Sequence, residues 1–113
     1  MTQELIDRAV TRYTQEIKGA YGDKLSQVIL YGSCARGDYD DESDIDVMIL
    51  LDVPQDKVKF ERRKVRALAN RLDKEFEYKV LLMPSIHSKE HYDKYADVLP
   101  LFINIRREGI PYA

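Results

Sequence analysis

The sequence predicts an α/β fold of the α+β kind, a small mixed β-sheet flanked by helices, on three observations. Apolar residues recur at helical spacing in two segments, short β-branched and aromatic runs lie between and after them, and with cap signals near the C-terminus the order is helix, strand, strand, helix, strand, helices. The chain has 113 residues, 44% hydrophobic and 34% charged. That composition suits one globular domain spanning residues 1–113 with a single core.

Taken in order, Ile6, Val10, Tyr13 and Ile17 step by four, three and four, which predicts an amphipathic helix over Thr2 to Lys18, closed at Gly19. Turn chemistry at Tyr21 to Lys24 leads into a first strand, Gln27 to Tyr31. Gly32 to Ser43 has no hydrophobic period and reads as loop, with room for a helical turn around Cys34 to Gly37. A second strand follows at Asp44 to Leu51, with Ile45, Val47 and Ile49 on one face and Asp44, Asp46 and Met48 on the other. Asp56 to Lys74 is spaced as a helix and Phe76 to Met83 as a third strand. Ser88 is placed to cap a short helix through Tyr95, and Pro100 to Glu108 forms a last helix stopped by Gly109.

Eighteen basic against twenty acidic side chains leave a net charge of −2, so no long-range field draws in nucleic acid or anionic lipid. The basic run from Lys57 to Arg71 interleaves with Asp56, Glu61 and Asp73 and reads as a solvated helix face, which makes nucleic acid an unexpected partner. No apolar stretch is long enough to span a bilayer, and the single cysteine, Cys34, permits no intrachain disulfide. A cytoplasmic protein is expected. His87 and His91, four apart, could share a helix face but have no third ligand at metal spacing. Tyr92, Tyr95 and Tyr112 suit either a partner surface or the edges of a core.

The candidate chemistry lies in the loop. A strand ending in Gly32-Ser33, with Gly37 five residues after the first glycine, lets backbone amides approach a phosphate closely, and Ser33 and Arg36 can add a hydroxyl and a charge. A strand-exit turn would also need the first glycine. The spacing is not that of a P-loop, because Asp38 and Tyr39 follow Gly37 where Lys and Ser or Thr are required.

Asp44 and Asp46, at i and i+2 on a strand, point to the same side with origins about 7 Å apart, so they can converge on a hard cation. Magnesium takes one or two carboxylates beside substrate phosphates, which makes this pair and the neighbouring loop chemically coherent. An EF-hand is set aside, because its sixth and twelfth positions would be Ser43 and Ile49 instead of Gly and Glu.

The string Gly32-Ser33-Cys34-Ala35-Arg36-Gly37, followed by Ser43-Asp44-Ile45-Asp46-Val47-Met48-Ile49, resembles the DNA polymerase β-like nucleotidyltransferase superfamily. Within it, the chain resembles the minimal nucleotidyltransferases found beside HEPN-domain proteins in toxin-antitoxin pairs. The resemblance implies transfer of a nucleoside monophosphate, AMP from ATP, to a hydroxyl acceptor such as a tyrosine of a HEPN-type partner. It also implies two Mg²⁺ ions, with Gly32, Ser33, Arg36 and Gly37 around the triphosphate and Asp44 and Asp46 on the metal.

The family pattern includes a third carboxylate on a later strand. Aligned on Tyr78 to Leu82, that position falls on Lys79, whose charge would weaken metal binding or else pair with phosphate, while Glu77 reaches the metals if the register shifts. Two functions remain open: a nucleotidyltransferase, or a weak or inactive nucleotide-binding module that neutralises a HEPN partner by contact.

Overall fold

The computed structural model describes all 113 residues. Helix α1 spans Gln3–Tyr21, and Thr2 caps it by accepting a hydrogen bond from the Leu5 amide at 3.1 Å. Ile6, Val10, Tyr13 and Ile17 are all buried, as their spacing predicts. The helix runs through Gly19, where a stop is predicted, and ends at Gly22. A helix-interior glycine costs about 1 kcal/mol but keeps the hydrogen-bond ladder, whereas Gly22 takes φ +55° and leaves it.

Strand β1 (Leu25–Tyr31) leads into a short helix, α2 (Ser33–Arg36), which Gly37 ends in the left-handed conformation at φ +88°. Strand β2 covers Ile45–Leu51 and pairs antiparallel with β1. The predicted Asp56 to Lys74 helix is two pieces, a 3-10 segment at Gln55–Phe60 and helix α3 at Arg62–Glu75, broken at Glu61. Strand β3 (Leu82–Ser88) pairs parallel with β2, helices α4 (Lys89–Tyr95) and α5 (Pro100–Glu108) follow, and β4 (Ile110–Pro111) adds to β1. The sheet order is β3-β2-β1-β4.

The expected mixed sheet is present, with the third strand moved from Phe76–Met83 to Leu82–Ser88. Glu77 and Tyr78 take φ +57° and +58°, a left-handed turn made without glycine, so the chain reverses where strand character is read. Pro84 sits inside β3, which is tolerated because β3 is an edge strand and can spare a ladder donor. Asp73 departs from the predicted solvated face: only 5% exposed, it accepts a 2.9 Å hydrogen bond from the Leu82 amide and so anchors the start of β3.

Two cores form on the two sides of the sheet. Ile45, Val47, Ile49 and Leu51 pack with α1 and α3, while Ile29, Met48 and Leu50 pack with Tyr92, Phe102 and Ile105 of α4 and α5. Tyr92 is therefore core, and the Tyr112 hydroxyl donates to Asp7 at 2.9 Å. No helix is long and apolar enough to cross a membrane.

His87 and His91 do not share a helix: His87 belongs to β3 and His91 to α4. Their rings stack with centroids 5.9 Å apart, the His87 ring meets Phe102 edge-on at 5.0 Å, and its Nδ1 is buried without a partner. Burial first, then His91 and Arg62, hold the His87 pKa below the ordinary histidine value. The unfolded chain therefore takes up this proton first as pH falls, and the contribution of His87 to stability is lost below about pH 6.5. In thermal melts at pH 7 and pH 5, His87→Phe is expected to shrink the acid-induced drop in Tm by a few degrees. An unchanged drop would assign the acid sensitivity elsewhere.

Candidate active site

The open end of the sheet, beyond the α4–α5 core, carries the loop and the carboxylates. Asp46 lies on the face of β2 that also holds Met48, and Tyr31 is its cross-strand partner on β1. Gly32 follows directly, at φ +75° and ψ −157°, and a Cβ at this position would stand 2.5 Å from Asp46 Oδ2. The first glycine is thus required twice, for its dihedral angles and for the approach of the loop backbone to the carboxylate. That exceeds what a strand-exit turn needs.

The rest of the loop is pinned from several directions. Cys34 is buried, and its Sγ donates to the Asp44 carbonyl at 3.5 Å, tying α2 to the entrance of β2; burial pushes its thiol pKa up. Asp40 Oδ1 accepts from the Glu42 amide at 2.9 Å and the Ser43 hydroxyl at 3.2 Å, closing the turn before Asp44. Arg36 is held by Asp38 at 3.2 Å and Glu108 at 3.4 Å, so its exposed guanidinium meets an anion only by leaving those partners.

Asp46 is half-buried, and burial first, then the charge of Asp44, raise its carboxyl above the usual range, with Arg36 pulling weakly the other way. No hydrogen bond offsets that cost. A partly desolvated carboxylate beside a second one, without a donor, is a fit site for a cation. No cluster of three or more His, Cys, Asp or Glu side chains exists in the chain, so the protein would supply a partial cage, as suits magnesium that completes its shell with phosphate and water.

Gly32 therefore meets Asp46, with the charges of Asp44 and Arg36 acting on that carboxylate and Ser33 next to Gly32 at the start of α2, while Gly37 closes α2 by donating to the Ser33 carbonyl; Glu77 and Lys79 do not join them on the sheet. Both lie in the turn between α3 and β3, with side chains 79% and 66% exposed and 4.0 Å from one another. The strand reading that offered either to the site is corrected by the start of β3 at Leu82. In the actual register Met83 lies beside Asp46, and Ser85 is next on that face, its Oγ 3.3 Å from the Tyr31 hydroxyl. Strand β3 carries no carboxylate.

Sequence reasoning missed Tyr31, Ser85 and the contribution of α5. Tyr31 and Gly32 form one wall of a cavity of about 360 Å³ whose opposite wall is Leu101, Asn104, Ile105 and Glu108. The spacing i, i+3, i+4, i+7 puts these four on one face of α5. That periodicity was visible, but nothing local ties α5 to a loop some seventy residues earlier.

An α/β sheet presenting a glycine-serine loop against paired aspartates defines a nucleotide-handling, phosphoryl-transfer class of domain. Residues 12–109 match the family described as Nucleotidyltransferase domain. The chain belongs to the nucleotidyltransferase domain family. Two Methanocaldococcus jannaschii relatives carry the name "Putative protein adenylyltransferase". MJ0141 is 38% identical over 89 residues, covering 78% of this chain and 85% of the relative. MJ0604 is 42% identical over 52 residues, covering 46% of this chain and 52% of the relative.

Among solved structures, a Sulfolobus solfataricus protein described as "a putative nucleotidyltransferase" shares the fold. Its TM-score is 0.59 at 16% identity, over 96% of this chain and 80% of the other. A toxin-antitoxin structure with AMP-PNP gives a TM-score of 0.51 at 14% identity, over 91% and 72% of the two chains. The fold and family expected from the loop and carboxylate motif are borne out.

Proposed function

We propose that this protein is a Mg²⁺-dependent adenylyltransferase that moves AMP from ATP to a hydroxyl of a protein partner, a tyrosine of a HEPN-type toxin. The observation that carries the reading is the contact of Gly32 with Asp46, which brings phosphate-accepting backbone and a metal-seeking carboxylate together. The names of the two archaeal relatives support protein adenylylation, and the AMP-PNP of the toxin-antitoxin structure supports ATP and an antitoxin role.

In this reading the backbone of Gly32 to Cys34 and the Ser33 hydroxyl bind the triphosphate, the amides of Ala35, Arg36 and Gly37 already donating to the Gly32 and Ser33 carbonyls, and Asp44 and Asp46 hold the metal. Mg²⁺ held by these two carboxylates would supply neutralisation of phosphate charge. The acceptor oxygen forms a bond to the α-phosphorus and the bond to pyrophosphate breaks. The hydroxyl proton goes to water, since β3 offers no carboxylate to take it. Arg36 exchanges Asp38 and Glu108 for phosphate oxygens.

The missing carboxylate on β3 is the one observation favouring the second reading, a nucleotide-binding module that neutralises its partner by contact. Labelled ATP, Mg²⁺ and the neighbouring gene product separate the two. Transfer of label to the partner by wild type and at least a hundredfold less by Asp44→Asn/Asp46→Asn is expected. Equal labelling by both would remove the catalytic assignment.

A further inference from the structure

We infer that the cleft along the outer edge of β3, under Arg62 and Arg66 of α3, is a docking site for an acidic, extended segment of a partner protein. This site needs neither nucleotide nor metal and uses no residue of the glycine-serine loop or the aspartate pair, so it stands apart from the proposed reaction.

The acids interleaved with the basic run do not neutralise it. Asp73 is buried against the Leu82 amide at 2.9 Å, Glu61 accepts from the Tyr21 hydroxyl at 3.1 Å, and Asp56 alone stays exposed beside the run. Lys57, Lys59, Arg62, Arg63, Lys64 and Arg66 are all exposed and none forms an ion pair, whereas Arg12, Arg36, Arg71 and Arg106 each hold a carboxylate. A chain of net charge −2 thus carries a local excess of positive charge here.

The cleft gives that charge a shape. Arg62 and Arg66 stand one turn apart on α3 and, with Val65, face Pro84 to His87 of β3 across about 370 Å³, with no carboxylate in the lining. Their side-chain origins are about 5–6 Å apart by helix geometry. Carboxylates at i and i+2 of an extended chain lie on one side at about 7 Å, a spacing two guanidinium forks can each meet with paired hydrogen bonds.

The strand edge favours a peptide as the occupant. The Leu81 carbonyl accepts from the Ile45 amide of β2 at 2.8 Å, so by alternation the backbone groups of Leu82, Pro84, Ile86 and Ser88 face outward. The two ends of that edge are already taken. The Leu82 amide donates to Asp73 and its carbonyl accepts from Arg66 at 3.4 Å, while the Ser88 amide donates to Gln55 at 2.9 Å. Pro84 has no N–H, which leaves its carbonyl and both groups of Ile86 open, within the cleft. One residue of an extended chain can pair with Ile86, too short a bridge to hold by itself, and the two arginines add the affinity by taking the acidic side chains that flank it.

The test is fluorescence anisotropy, without ATP or Mg²⁺, of labelled peptides of repeating Glu-Thr and repeating Gln-Thr and of single-stranded oligouridylate. Wild type is expected to bind the Glu-Thr peptide at least about tenfold more tightly than the Gln-Thr peptide, and Arg62→Gln/Arg66→Gln to lose about tenfold of that affinity. Lys18→Gln/Lys24→Gln, which removes the same charge from exposed positions elsewhere, should change it by less than about twofold. Thermal melts check folding; Arg62→Gln alone, which removes no hydrogen bond within the chain, replaces the double variant if that one melts early, with a loss of at least about threefold expected. Equal binding of the two peptides, an equal loss in the lysine control, or tighter binding of oligouridylate than of the Glu-Thr peptide would overturn the assignment. None of these outcomes depends on AMP transfer, so that reading and this one fail separately.

Discussion

Gly32→Ala is expected to lower nucleotide binding or transfer by about a hundredfold or more and to lower the melting temperature as well. At φ +75° and ψ −157° a β-carbon is strained, at about 1–3 kcal/mol, which for a domain of this size is of the order of 5–15 °C in Tm. The added carbon also meets Asp46 Oδ2 at 2.5 Å, so the carboxylate tip must move. Moving a tip is energetically cheap, but here the tip is the proposed metal ligand, and displacement by about 1 Å at a reacting centre costs on the order of a hundredfold. Activity should therefore fall far more than stability predicts, measured on the folded fraction well below Tm. A variant that melts earlier but binds nucleotide normally would show that the contact is structural only.

Asp46→Asn should act in opposite directions on the two properties, abolishing metal-dependent binding while raising Tm by a few degrees without metal. Asp46 is half-buried, unassisted by a hydrogen bond and close to Asp44. Its carboxyl pKa is raised on folding, so the ionised group opposes folding above that raised value. The opposition fades as pH falls through the ordinary carboxylate range, where both folded and unfolded chains hold the proton. The stability gain of the variant should thus be full at pH 7 and disappear towards pH 3, as thermal melts across that range would report. A variant less stable than wild type at pH 7 would mean that Asp46 is a structural residue.

Both expectations concern residues that sequence alone could single out, because a motif within fifteen residues, Gly32 to Asp46, builds the heart of the site. Periodicity likewise placed α1, cap and stop signals placed α4 and α5, and alternation sorted the two faces of β2, with Ile45, Val47 and Ile49 in one core and Met48 in the other. Legibility failed where a local signal was absent. Glu77 and Tyr78 turn left-handed without a glycine, so the chain after α3 read as strand six residues too early and offered Glu77 and Lys79 to a site they do not join.

Asp73 illustrates a second limit. Its sequence neighbours are solvated charges, and only the distant amide of Leu82 explains why a carboxylate is buried there. The α5 wall is a third: Leu101, Asn104 and Ile105 line a cavity with Gly32 and Tyr31 only because the sheet and α5 come side by side.

The most direct measurement of the central claim, that Gly32 and the Asp44–Asp46 pair build one metal and triphosphate site, is an ATP titration with and without Mg²⁺ on wild type and Asp44→Asn/Asp46→Asn. Wild type is expected to bind ATP with affinity that rises with Mg²⁺, and the variant to lose that dependence. ATP affinity indifferent to Mg²⁺ in wild type, or an equal metal dependence in the variant, would contradict it.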